Sequence, residues 1–200
     1  MLYQLPKILL YSRIILSILV VSLSIFSVNN AALFVLIILY TGIISDIFDG
    51  IIARRLNIST TDFRVHDTII DLLFYTSLFY FVFTANPVII LSNILQIMII
   101  LSLELCMYII SLVRFKKLPS PHAILSKCWG VYMVIELSLI ILEVQGNHFT
   151  IALYFGILVH LERVLIYITL RNWEHDIPTL IHAYKIRQGK KIKRAKIFNG

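Results

Sequence analysis

Charge is scarce in this sequence: Asp, Glu, Lys and Arg make up 14% of its 200 residues, against about 25% in a soluble chain. So few charges cannot cover the surface of a dissolved globule of this size, which excludes a water-soluble domain. Only 2 cysteines are present, too few for a disulfide scaffold. With 7 glycines and 5 prolines, neither a collagen-like repeat nor a low-complexity disordered chain is possible. What is abundant is apolar side chain, at 59%, where soluble chains run at about 45–50%. The class that remains is an integral membrane protein.

A helix that crosses about 30 Å of hydrocarbon needs roughly 20 mostly apolar residues. Six stretches qualify, at 8–28, 32–54, 66–85, 87–112, 123–143 and 149–170. They are too long for barrel strands and show no alternation of period two, so the expected fold is all-α, a bundle of six transmembrane helices. All 18 Lys and Arg fall on one side of that topology, and the turns SVNNAA, TANP and EVQGNH on the other side carry none. By the positive-inside rule both termini are then cytoplasmic. The first run exceeds a usual signal-peptide core and lacks an A-x-A site, so it reads as a permanent helix. Residues 1–172 form the membrane domain in this reading, after a short juxtamembrane segment at 1–7, and 173–200 form a basic amphipathic tail. Within that tail WEHDIPTLIHAYKIR reads as an interfacial segment with Trp173 at the headgroup level, and IRQGKKIKRAK as a surface near anionic lipid. No nucleic-acid-binding fold accompanies these charges. Cys106 and Cys128 read as small buried hydrophobes.

Five of the eleven acidic residues lie between positions 46 and 71. Asp46 and Asp49, three apart at the end of the second helix, share a face, and so do Asp67 and Asp71, four apart at the start of the third. The short polar turn LNISTTDFR makes the two helices antiparallel neighbours, with both pairs at one depth. Each Asp costs about 2.5–3.5 kcal/mol at the bilayer centre, less toward its edge, and like charges at close range add repulsion. Two divalent cations would balance four carboxylates, and a site without Cys or His ligands favours hard ions, Mg²⁺ or Mn²⁺. A proton or cation relay, or ion pairs with Arg54, Arg55 and Arg64, would also fit the spacing. Gly50 and Ala53 leave the helix without bulk beside the first pair, which suits either tight helix packing or a ligand held with Arg54.

The pattern Asp46-x2-Asp49-Gly50-x2-Ala53-Arg54 followed by Asp67-x3-Asp71 resembles the signature of the class-I CDP-alcohol phosphatidyltransferases, with Pro6 and Arg13 spaced like the lead into their first helix. Seven of the eight signature positions match. The eighth, a glycine in the family, is Phe63 here, where a ring crowds or reshapes the donor pocket. The resemblance implies a six-helix membrane enzyme that moves a phosphatidyl or phosphoalcohol group from a CDP-linked donor, foremost CDP-diacylglycerol, to an alcohol acceptor and releases CMP in phospholipid synthesis. It implies two ions held by Asp46, Asp49, Asp67 and Asp71, with Asp71 also the general base. Gly50, Ala53, Arg54 and Thr60 would then bind the donor nucleotide. It further implies a bacterial plasma membrane with the site facing the cytoplasm, and pairing as a homodimer.

Acceptor-binding candidates are the basic residues Lys127, Arg114 and Lys117, with Lys116 and His122 beside them; Lys127 stands inside a hydrophobic limit, where an ammonium needs a partner. Glu104, Glu136 and Glu162 each need a partner within their helices, with an ion pair expected for Glu162. His160 reads as a packed, hydrogen-bonded residue. His175, Asp176 and His182 read as an exposed segment rather than a metal triad. Two other functions are compatible with the residues: a non-catalytic relative, and a cation transporter, which would need polar residues in the outer halves of helices two and three.

Overall fold

The computed structural model describes residues 4–26, 28–56, 58, 60–119, 123–175, 177–190 and 192, with the backbone alone for 61, 62, 64, 65 and 68. Among the described residues the regular elements are all helices: α1 (Leu5–Ile25), α2 (Ala31–Arg55), α3 (Thr61–Ala85), α4 (Pro87–Ser92), α5 (Ile94–Phe115), α6 (Ile124–Ile141), α7 (His148–Thr169) and α8 (Leu180–Arg187). The chain divides into two compact units, Met1–Ile90 with Ile141–Glu143, and Leu91–Ile140 with Val144–Gly200.

The polarity of both units is inverted relative to a soluble protein. Arg13, Asp49 and Glu136 are at most 1% exposed, while Ile15, Ile18, Leu95 and Val113 are 60% exposed or more. Apolar side chains outward and ionic groups inward is the arrangement that a hydrocarbon surrounding favours. Several helical hydroxyls are satisfied within their own turn, as where Ser17 and Ser22 donate to the carbonyls of Arg13 and Ile18 at 2.7 and 2.8 Å, so these carry no unpaired donor into that surrounding. Among the described residues five helices, α1, α2, α5, α6 and α7, are long and apolar enough to cross a membrane. Within α3 an apolar stretch runs over Ile69–Ala85.

In the first unit Leu10, Arg13, Ser17 and Val20, spaced three or four apart, make the buried stripe of α1. That stripe lies against both α2 and α3, which meet each other only sparsely. This corrects the expectation that α2 and α3 are direct neighbours: α1 is inserted between most of their length. They do touch at Gly42, where a methyl group would come within 3.0 Å of the buried Phe74 ring. The Ser45 hydroxyl ties α2 to α1 by donating to the Leu9 carbonyl at 2.8 Å. Thr60 caps α3, its hydroxyl oxygen accepting from the Phe63 N–H at 3.2 Å.

In the second unit α5 packs on α7, and α7 on α8. The Arg114 guanidinium donates to the carbonyls of Tyr167, Ile168 and Leu170, each at 2.8 Å, closing the exposed end of α7 as a cation at a helix C-terminus does. Gly156 lets the Trp129 indole lie on α7, where its N–H donates to the Ala152 carbonyl at 3.1 Å and its face meets His160 edge-on at 4.9 Å. The stretch expected as one helix over 87–112 is broken at Asn93. That side chain turns inward, its Oδ1 accepting from the Thr150 hydroxyl at 2.7 Å, and α5 starts after it. Residues 177–183 are also more than a surface tail: Ile177 and Ala183 are fully buried with Met107, Tyr167 and Leu170. Both cysteines are exposed, which corrects their reading as buried; each sits on an outward helix face.

Candidate functional site

The first unit gathers the four aspartates. Asp46 and Asp49 lie a turn apart near the end of α2, and Asp67 and Asp71 a turn apart in the first half of α3. Between them stands Arg13 of α1. Its Nη1 donates to Asp46 Oδ1 at 2.8 Å and also to Asp71 Oδ1, and its Nη2 donates to Asp49 Oδ2 at 2.6 Å and Asp67 Oδ1 at 2.7 Å. One guanidinium thus takes one oxygen from each of four carboxylates on two helices, which the planar fork of arginine allows and a lysine ammonium does not.

The cluster is closed on one side and open on the other. The side chains of Arg13 and Asp49 are 1% exposed, whereas those of Asp46, Asp67 and Asp71 are 39%, 33% and 32% exposed. Four negative charges against one positive leave a strong excess of negative potential in a region of low dielectric. Asp49 Oδ1 is buried without a hydrogen-bond partner, a costly state for a carboxylate oxygen. One oxygen each of Asp46, Asp49 and Asp67 lie within 4.8 Å of one another. Opposite ligands of Mg²⁺ stand about 4.2 Å apart, so these residues fit a hard divalent cation with a small closure. The orphaned Asp49 oxygen, the excess charge and the all-oxygen donor set point the same way.

The positions expected to bind a nucleotide are distributed around this cluster. Gly50 is half-buried, and the Arg54 guanidinium folds back over it, 3.4 Å from where a β-carbon would stand. Ala53 is 1% exposed and packs with Leu10, Phe63 and Ile70, so it floors the core under Phe63. Phe63 is itself buried and fills the space that a glycine would leave open. Beside it is a cavity of about 630 Å³ bordered by Lys7, Tyr11, Thr60, Phe63 and His66.

The acceptor candidates belong to the second unit. Lys127 is exposed in the first turn of α6, Arg114 is engaged with the end of α7, and the Lys117 ammonium lies 4.7 Å over the Trp173 ring. His122, Asp176, Lys191 and the basic residues from Lys193 onward lie outside the described residues. Three carboxylates of this unit are engaged in packing. Glu104 takes a fork from Arg163 at 2.6 and 3.1 Å, and Glu136 bonds His148 Nδ1 at 2.6 Å. Glu162 accepts the Leu180 N–H at 3.1 Å; the ion pair expected of it is made by its neighbour Arg163 instead, because Arg163 points toward Glu104 on α5. His160 is packed as expected, its Nδ1 2.7 Å from the Gly156 carbonyl.

The residue that sequence reasoning missed is Arg13, read only as a topology-setting charge and as a family spacing. A signal existed. An arginine inside an apolar run costs about 2.5–3.5 kcal/mol unless an anion meets it, and five of the eleven acidic residues lie in one short segment.

The family model of the CDP-alcohol phosphatidyltransferases matches residues 3–171, most of the chain. No curated protein and no solved structure matches it.

Proposed function

Because the chain belongs to the CDP-alcohol phosphatidyltransferase family, a family of membrane transferases that use a CDP-linked donor and an alcohol acceptor, we propose that it transfers a phosphatidyl group from CDP-diacylglycerol to an alcohol and releases CMP. The observation that carries this reading is the convergence of Asp46, Asp49, Asp67 and Asp71, with one buried oxygen of Asp49 left without a partner. We assign Asp46, Asp49, Asp67 and Asp71 as the holders of two divalent ions, Mg²⁺ or Mn²⁺. When bound, these ions neutralise the donor diphosphate and the charge that builds on departing CMP.

The remaining roles fall to the protein's own side chains. Asp71, partly exposed beside the cluster, accepts the proton of the attacking acceptor hydroxyl, the task of a general base within hydrogen-bond reach. Arg54, free to lift from Gly50, meets the diphosphate as a planar donor of several N–H groups. The cytidine is assigned to the cavity beside Thr60 and Phe63, and Phe63 shapes its wall where the family has glycine. In this reading residues 66–85, within α3, are the sixth span, both termini and the site face the cytoplasm, and the protein pairs as a homodimer.

The test is CMP release by the purified protein in detergent or vesicles, with Mg²⁺ or Mn²⁺, CDP-diacylglycerol and a panel of alcohols. Release is expected to depend on the metal and to fall by about 10²–10⁴ in Asp71→Asn. Metal-independent release, or none with any donor and acceptor, refutes the assignment.

A further inference from the structure

Arg13 takes no part in the transfer just described, yet its guanidinium holds one oxygen of each of the four aspartates and is shut from solvent. A divalent ion would draw on the same carboxylates, among them those of Asp46, Asp49 and Asp67. Charge points the same way: four carboxylates balance two divalent ions, and a guanidinium kept in the same cage would leave an unpaired positive charge in a region of low dielectric. A long helical side chain leans toward the N-terminus of its helix, and toward that end of α1 Lys7, Leu10 and Tyr11 border the cavity of about 630 Å³.

We propose that Arg13 and the divalent metal compete for one carboxylate cage, so that Arg13 is a positioning residue that sets the metal affinity of the site: in the cage it holds α1 to α2 and α3, and metal uptake drives it out. The inference rests on the reading of the cluster as a metal centre.

Two measurements on purified full-length protein in detergent test it, Mn²⁺ affinity by electron paramagnetic resonance and thermal unfolding with EDTA or with saturating Mn²⁺. Arg13→Gln removes the competitor. If the open cage is a minor state of the wild-type protein, its apparent affinity is reduced by that fraction, so R13Q is expected to bind Mn²⁺ about tenfold tighter or more. R13Q is expected to unfold at a lower temperature than wild type in EDTA, and the gap is expected to close at saturating Mn²⁺, where Arg13 no longer braces the cage. Arg13→Lys keeps the charge and loses the fork, and is expected to fall between the two in affinity. The proposal is overturned if R13K binds Mn²⁺ as wild type does, since charge alone would then explain R13Q. It is overturned equally if R13Q binds Mn²⁺ no tighter, or if the unfolding gap persists at saturation. Wild-type protein that takes up no Mn²⁺ ends both this proposal and the metal-centre reading; wild-type uptake with no tightening in R13Q ends this one alone.

Discussion

Replacing Asp49 with asparagine separates a metal centre from a set of structural ion pairs, because the two give opposite signs. Asp49 is buried, with one oxygen 2.6 Å from Arg13 Nη2 and the other unpartnered. At about 4 Å and an effective dielectric of about 20, a pair of unit charges interacts by about 4 kcal/mol. Asp49 gains one such attraction from Arg13 and bears repulsions from Asp46 and Asp67, whose oxygens lie within 4.8 Å, and from Asp71 beyond them. Removing its charge at constant shape therefore relieves at least as much repulsion as the attraction it loses. In EDTA, D49N is expected to unfold at or above the wild-type temperature. With Mn²⁺ at about 100 times its dissociation constant the wild-type protein gains about 2.7 kcal/mol, a rise of about 5–10 °C for a chain of this length. D49N, which offers a neutral amide where a ligand is needed, is expected to keep less than about a third of that rise, since affinity for the ion falls with ligand charge. The assay is thermal unfolding of both proteins in one detergent, with and without metal. If D49N matches the wild-type rise in Mn²⁺, or loses more than about 2 kcal/mol in EDTA as a broken buried ion pair does, the aspartates serve as structural partners of Arg13 and the metal assignment fails.

Two further outcomes test the packing on which the site depends. Gly42→Ala places a methyl group within 3.0 Å of the Phe74 ring and is expected to cost about 1–3 kcal/mol, recovered in part by adding Phe74→Leu; a neutral G42A in thermal unfolding would show that α2 and α3 can part here freely. In the second unit, Arg163→Met leaves Glu104 without its fork at 2.6 and 3.1 Å and is expected to lower stability by about 1.5–3 kcal/mol. The double variant with Glu104→Gln should recover more than half, and failure to recover would mean that Arg163 acts through packing rather than charge.

Much of the architecture was legible because apolar runs in a bilayer leave the backbone few choices: every polar peptide group must be bonded within the helix. The runs read at 8–28, 32–54 and 149–170 lie within a few residues of α1, α2 and α7. The break at Asn93 was not legible, since one polar residue in an apolar stretch reads as tolerated until its partner, Thr150, is brought to it. The same holds for Cys106 and Cys128, whose side chains can face inward or outward on helices that are apolar all round, and for Ala53, whose small side chain proves to lie under Phe63.

The aspartates show the division most clearly. Their spacing alone puts Asp46 with Asp49 and Asp67 with Asp71, because residues three or four apart share a helix face whatever surrounds them. Their type alone demands a cation, because four carboxylates in an apolar setting cannot stand uncompensated. Which cation meets them depends on contacts between residues more than thirty positions apart, and helical periodicity does not encode these. Only the tertiary structure brings α1 between α2 and α3, leaves Asp49 with one oxygen unanswered, and sets Arg13 at the centre of all four.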